Sequence, residues 1–481
     1  MADFIVAIEL GSSKITGIAG KKNLDGSIKV LAVVKEDATS CIRKGMVNNI
    51  DKTVQALSNV IKKLENILKT KIARVYVGVN GQSIRSEKNI IVKQLPADTK
   101  VTVDMVNGLM DANRSMQYPD QEILDAVTQE YKVDNQLQVD PTGFICTRLE
   151  GNFLNILWRK SFYRNLNRCF ENAGIAIAEM YLSPLALADA VLTDAERRGG
   201  CVLVDLGAET TTVAVYYRDI LRHLAVIPLG SNNITKDLTS LQMEDKTAEE
   251  MKLKYAAAYT DSSEIDMGKT YPIDHDRSID MPKFVEIVEA RVQEIIENAW
   301  HQVPDEYVGK LLGGIVLTGG GSNMKEIGKA FKILTHTDKV RIAGSVTTTI
   351  ISKSPAITAK DGTMCTVLGL LAKGNMNCAG SEISDSLFQN EQPANNASAQ
   401  PILTHSTTEN GKGIIKTEAE KAAEEAAKRK QEEEEERRRQ QEAEEEEERR
   451  RKKRENSWFH KAVNGLKSFG RKMVEEEEDE K

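Results

Sequence analysis

The feature that most constrains this chain is a motif that occurs twice. Residues 201–217 read Cys-Val-Leu-Val-Asp-Leu-Gly-Ala-Glu-Thr-Thr-Thr-Val-Ala-Val-Tyr-Tyr, and residues 5–17 read Ile-Val-Ala-Ile-Glu-Leu-Gly-Ser-Ser-Lys-Ile-Thr-Gly. Each is an apolar strand, a carboxylate, Leu-Gly, a small polar turn and a second strand. Setting Glu9 on Asp205 puts Gly11 on Gly207 and Thr16 on Thr212. One copy alone reads equally well as an ordinary hairpin with a polar turn. Two copies can face each other as a clamp. Backbone N–H groups of Gly11, Ser12, Ser13 and Lys14 in one turn, and of Gly207, Ala208, Glu209, Thr210 and Thr211 in the other, suit a polyphosphate. Glu9 and Asp205 can then hold its divalent cation through water. Mg²⁺ favours that arrangement, keeping several waters and few protein ligands beside the phosphates.

Composition narrows the partners. At 481 residues the chain has room for two or more domains. A net charge of −7 gives no electrostatic reason to expect nucleic acid. The six cysteines show no C-x-x-C spacing and read as buried, reduced thiols of a cytosolic protein. Asp3 and Glu9 flank an apolar run too short for a signal peptide. No stretch reaches the roughly 18 apolar residues of a membrane-crossing helix. Any membrane contact is therefore expected from something lying on the surface.

Along the chain, helix is expected at 51–68 with Asp51 as N-cap, and strand at 73–79. This alternation favours layered α/β lobes. Residues 86–166 have a different texture, with short strands at 90–95, 129–133, 142–149 and 152–157 and a helix near 102–110, as in a small α+β insertion. Residues 258–282 look irregular, 282–302 form an amphipathic helix, and 361–372 a closing helix. Residues 376–416 are polar and Ser/Asn/Thr-rich, the composition of a flexible linker. Residues 417–456 are almost entirely Ala, Glu, Gln, Lys and Arg without an apolar stripe, as in a solvated helix.

Gly268-Lys269-Thr270 resembles the end of a Walker A loop, but position 263 is Ser and no strand precedes it, so that reading fails. Gly319-Gly320-Gly321-Ser322 follows an apolar strand and suits close backbone approach to a flat group; a glycine-rich connecting turn is the plain alternative. Together with the two hairpins, this run resembles the nucleotide-binding set of the actin, Hsp70 and sugar-kinase superfamily across roughly residues 1–375. The resemblance implies ATP as cofactor with Mg²⁺, phosphate loops at the hairpins, a contact from Gly230, and adenosine held by the glycine run. It also places Glu249 and Lys252, three apart on one helix face, around the adenosine; a solvated helix face is the alternative.

Within that superfamily the chain resembles the FtsA family of bacterial cell-division proteins. The resemblance rests on the insertion, on 123–134 (Ile-Leu-Asp-Ala-Val-Thr-Gln-Glu-Tyr-Lys-Val-Asp), and on Pro228-Leu229-Gly230 leading to Ile234-Thr235-Lys236-Asp237-Leu238. Ser231 stands where a second Gly is usual, Asn233 where His is common, and Glu9 where actin has Asp. The implied fold is two-lobed and actin-like. Lobe 1 takes 1–85, 167–200 and 355–375; lobe 2 takes 201–245 and 306–354, with 246–305 as its small subdomain; 86–166 is inserted. The implied partners are the C-terminal tail of the tubulin-like FtsZ, received near Arg291, other division proteins, and further copies of the chain in a filament. The implied place is the cytoplasmic face of the membrane at the septum. No base for water is identifiable, so ATPase activity is expected to be weak or absent.

Residues 457–474 carry a second signal. On a wheel of about 100° per residue, Trp458, Phe459, Val463, Leu466, Phe469 and Met473 fall on one side, and Lys461, Lys467, Arg471 and Lys472 on the other. That pattern describes an interfacial helix for anionic lipid, with a partner groove as the alternative. The acidic tail at 475–481 would oppose such lipid. A membrane-targeting helix after a linker also fits the FtsA resemblance. It speaks against a pilus-assembly actin homologue or a small-metabolite kinase on the same fold.

Overall fold

The computed structural model describes residues 4–380 and 411–416, with helical backbone at five further positions (Glu420, Lys421, Ala426, Arg429 and Arg437). The amphipathic stretch at 457–474 and the acidic tail lie outside the described residues. Both hairpins form, one in each of two sheets. Ile5–Leu10 pairs antiparallel with Lys14–Lys22 and parallel with Arg74–Val79. Cys201–Leu206 pairs antiparallel with Thr211–Tyr217 and parallel with Gly314–Thr318. Each first strand is a near-continuous apolar run because it lies inside its sheet. Only the carboxylates, Glu9 and Asp205, are partly exposed in those strands.

The first sheet has seven strands, in the order Ile350–Ile351, Ile28–Asp37, Lys14–Lys22, Ile5–Leu10, Arg74–Val79, Ala176–Leu182, Ile414–Ile415. The second runs from Val340–Ile342 through Gly314–Thr318, Cys201–Leu206, Thr211–Tyr217 and Ile220–Ile227 into the inserted strands. Helices Ile50–Leu68, Ser183–Val191 and Cys365–Lys373 contribute Leu57, Val60, Leu187 and Leu370 to the first core. Helices Ser231–Thr239, Met281–His301 and Ile327–Thr335 contribute Leu238, Val288, Ile296 and Phe331 to the second. After Val340–Ile342 the chain returns to the first sheet, where Ile350–Ile351 pairs with Ile28 and Lys29.

The insertion has its own core of Leu109, Tyr131, Leu149 and Phe153. Its strands are longer than the sequence suggests. Arg85–Lys100 is one strand, and Ile145–Arg159 runs through Gly151, where a break between two strands was expected. Gln121–Val133 is extended along its whole length, taking in the residues before 129. The insertion's strand pairing with the second lobe is Ala225 with Arg85, and Gln129 Nε2 also donates to the Leu221 carbonyl at 2.9 Å.

Local expectations need three further corrections. Asn49, not Asp51, caps the first helix, its side chain accepting from the Lys52 N–H at 3.0 Å. The region read as irregular contains a hairpin, Thr270–Pro272 with Ser278–Asp280, held by Tyr271 stacking on Tyr255 at 4.3 Å. Residues 411–416, read as linker, are docked on the first lobe, with Ile414–Ile415 as its edge strand. All six cysteines are free and buried.

Candidate functional site

The two turns share one geometry. The Gly11 N–H donates to the Lys14 carbonyl at 3.0 Å, and the Gly207 N–H donates to the Thr210 carbonyl at 2.9 Å. A Cβ on Gly11 would sit 2.9 Å from the Lys14 carbonyl oxygen, and one on Gly207 2.7 Å from that of Thr210. Both positions therefore demand glycine, and the turns curl tightly at the strand ends. Glu9 lies opposite Thr16 and Asp205 opposite Thr212, so each carboxylate occupies the same register beside its turn.

The hairpins meet. Asn80 Nδ2 donates to Thr212 Oγ1 at 3.1 Å, and Glu209 Oε2 accepts from the Lys44 N–H at 2.7 Å, both across the lobes. Within the first lobe, Ser12 Oγ accepts from the Gly45 N–H at 2.8 Å. The phosphate expectation concerns the backbone N–H groups of Ser12 and Glu209; their side chains tie down the loop at 44–45. Burial, and next the Asp205 charge, push the Glu9 carboxyl up to about 8, with Lys35 and a Thr366 hydrogen bond acting the other way. Burial pushes Asp205 up to about 6. Both carboxyls are raised by burial, Glu9 also by the Asp205 charge, so a nearby cation would favour their ionised forms. The donor set fits Mg²⁺ held beside phosphates, since oxygen ligands converge between two backbone cradles. Among the described residues no cluster of three or more His, Cys, Asp or Glu could hold a metal by itself.

The glycine run lies directly behind Asp205. Gly319 has φ +82°, and a Cβ there would stand 2.3 Å from Asp205 Oδ1. Ser322 is turned inward: its hydroxyl donates to the Gly319 carbonyl at 2.7 Å and closes the loop, rather than facing the cleft. Asn323 Nδ2 donates to the Asp361 carbonyl at 2.8 Å, fastening the loop to the returning chain. Gly319→Ala should cost about 1–3 kcal/mol for the left-handed backbone. It should also displace the Asp205 carboxylate, so thermal unfolding and nucleotide binding should both register the change.

Gly230 closes on the second turn: its Cβ would fall 2.5 Å from the Ala208 carbonyl oxygen, and the N–H groups of Ser231 and Asn232 donate to the carbonyls of Gly207 and Ala208 at 3.0 and 2.7 Å. Asn233 Oδ1 accepts from the Gly230 N–H at 3.1 Å. Glu249 and Lys252, on helix Asp245–Tyr255, pair at 2.6 Å. Lys252 is only 5% exposed and also donates to Thr235 Oγ1 and the Ser231 carbonyl, so it is not a solvated face. Arg291 is held by Asp237 (Nη2 to Oδ1, 2.8 Å) and by Glu294.

Sequence reasoning missed Asn80, Lys44, Lys35 and Thr366. Lys35 was findable: it lies across from Thr16, which lies across from Glu9, so the three share one row of the sheet. Asn80 gave only a weak signal, sitting just past a strand between Gly78 and Gly81.

Two sheets with twinned hairpins, joined by a crossover back to the first, define an actin-like fold. A solved structure of a PilM–PilN type IV pilus biogenesis complex shares it, with a TM-score of 0.54 and 14% identity over 76% of this chain and 97% of that one. The family profile described as cell division protein FtsA matches residues 202–369, and that of the SHS2 domain inserted in FtsA matches 81–157. The cell division protein FtsA of Porphyromonas gingivalis is 31% identical over 339 residues, covering 69% of this chain and 71% of the relative. That of Neisseria meningitidis is 34% identical over 331 residues, covering 67% and 80%. The chain belongs to the FtsA family of cell division proteins.

Proposed function

We propose that this chain binds ATP with Mg²⁺ between its lobes, assembles into filaments, and tethers the FtsZ ring to the cytoplasmic membrane at the division site. The observation that carries the nucleotide part is the pair of identical turns, each glycine pressed on a carbonyl and each beside a desolvated carboxylate. In this reading the backbones of Gly11–Lys14 and Gly207–Thr211 hold phosphates, and Glu9 and Asp205 hold Mg²⁺ through water. Gly230, Glu249, Lys252 and Gly319–Ser322 enclose the nucleoside. The family supports the division role, and the aromatic and basic faces of 457–474 support a reversible membrane anchor. Sedimentation with and without ATP, each with and without anionic vesicles, tests the whole. Pelleting that ATP does not increase removes the filament, and no pelleting with lipid removes the tether.

The FtsZ tail is assigned to the helix carrying Arg291. Its guanidinium is also the ion-pair partner of Asp237, which joins two helices. Arg291→Glu should therefore weaken tail binding, with a small loss of stability. Asp237→Asn keeps the guanidinium and breaks only the strut. A pull-down in which Arg291→Glu binds the tail as well as the parent chain does would leave Arg291 a structural residue.

A further inference from the structure

Residues 411–416, Gly-Lys-Gly-Ile-Ile-Lys, lie far along the chain from the strand they join. Ile414 and Ile415 pair antiparallel with Tyr181 and Met180, the outer positions of Ala176–Leu182. The Leu182 N–H donates to the Gly413 carbonyl at 2.7 Å, and the Tyr163 hydroxyl to the Lys416 carbonyl. Ile415 is 2% exposed, inside the first core.

The decisive group is Asp125, on the inserted strand Gln121–Val133. Its carboxylate is buried and accepts from the N–H groups of Gly411 (3.2 Å) and Gly413 (2.8 Å), besides its neighbour Ala126 (2.8 Å). A buried carboxylate must be met by donors, and two of these three come from the docked segment. Both glycines have left-handed backbones, φ +77° and +72°, and a Cβ on Gly413 would stand 3.1 Å from Leu185. The contact thus reads a Gly-x-Gly followed by two aliphatic residues, by backbone donors, backbone conformation and a buried isoleucine. In strand addition of this kind, main-chain hydrogen bonds supply the affinity and the side-chain sites the specificity.

We propose that the Ala176–Leu182 edge together with Asp125 is a strand-addition site for the chain's own residues 411–416, and that its occupancy sets the tether to the C-terminal tail. Occupied, the body holds the chain up to Lys416, and the tail starts there. Released, the body ends near Gly380, and residues 381–416 are added between it and the tail. The site joins the first lobe to the insertion, so movement between those two parts also acts on it.

Hydrogen exchange on the full chain tests this, following the amides of 411–416. In the parent chain they should exchange roughly tenfold or more slowly than in a free segment. Asp125→Ala and Gly413→Val should each restore the free rate, leaving the strands Ile5–Leu10 and Cys201–Leu206 protected as before. Gly413→Val lies in the segment itself, so it separates loss of docking from damage to the insertion. Free-segment exchange in the parent chain, or unchanged protection in Gly413→Val, overturns the site. Protection that fades on dilution also overturns it, because the segment would then dock on a second copy. For the tether, dyes on Lys62→Cys and Thr417→Cys should move apart in Gly413→Val; an unchanged separation overturns that part.

Discussion

Asp205→Ala will leave the globular body folded while weakening Mg-ATP binding by about 10–100-fold, the loss usual when a group that orients a metal's surroundings is removed. Folding should survive because the carboxylate is not a strut. It sits desolvated at the end of a strand, near a second carboxylate that it repels, and burial has already pushed it up to about 6. Removing it relieves a cost in the empty protein and removes an attraction only when a cation is present. A titration of the variant, with circular dichroism to confirm folding, decides the matter. Unchanged ATP affinity would sink the assignment of Asp205 to the cation.

The same pair gives a pH dependence with a definite sign. The Glu9 carboxyl rises from 4.5 to about 8 in the folded chain, so between those values the unfolded chain has released a proton that the folded chain keeps. Stability contributed by Glu9 is then lost as pH rises through that window. Glu9→Gln should be more stable than the parent at pH 8 without nucleotide, with the advantage vanishing toward pH 4.5. Cation binding needs the ionised pair, so Mg-ATP affinity in the parent should strengthen from about pH 6 to pH 8. A flat affinity across that range, in a buffer series with ATP ionisation accounted for, would detach Glu9 from the site.

What could be read from the chain follows from how local each signal is. The hairpins were legible because a strand, a carboxylate and Leu-Gly lie within a few residues and recur. Their closeness in space was inferable only from the repetition. The side-chain partners of Ser12, Glu209 and Ser322 were not legible, because the turn pattern marks backbone geometry and says nothing of which distant group a side chain will meet. Glu209 finds Lys44 across 165 positions of sequence. The long inserted strands were cut short because Gly151 and the polar residues around it look like a turn, whereas two flanking strands hold them extended. Residues 411–416 carry only two adjacent isoleucines in a polar stretch. Nothing local reveals that a buried aspartate 286 positions earlier needs the N–H of Gly411. Arg291 illustrates the opposite case, in which a basic residue chosen for a partner proved to have an internal acid as well.

The combination Trp458→Glu with Phe469→Glu should release the chain from anionic vesicles while the body stays folded and competent for ATP. Among the described residues no helix is long and apolar enough to cross a membrane; the proposed anchor at 457–474 is tested by itself. Burying Trp458, Phe459, Leu466 and Phe469 contributes at most about 1.5–3 kcal/mol each. Lys461, Lys467, Arg471 and Lys472 add about 1 kcal/mol apiece near an anionic surface, against which the acidic residues at 475–480 act. On these magnitudes the proposed helix would be a reversible anchor. The proposed filaments would present many, and joining them would multiply attachment without new contacts. Single chains should therefore float weakly with vesicles and ATP-driven polymers strongly, and added salt should weaken the single chains first. Two glutamates would remove the largest rings of the proposed apolar face and place charge where that face would meet acyl chains. If the doubly substituted protein still floats with anionic vesicles, residues 457–474 are not the anchor, and docking of that helix on a partner protein takes its place.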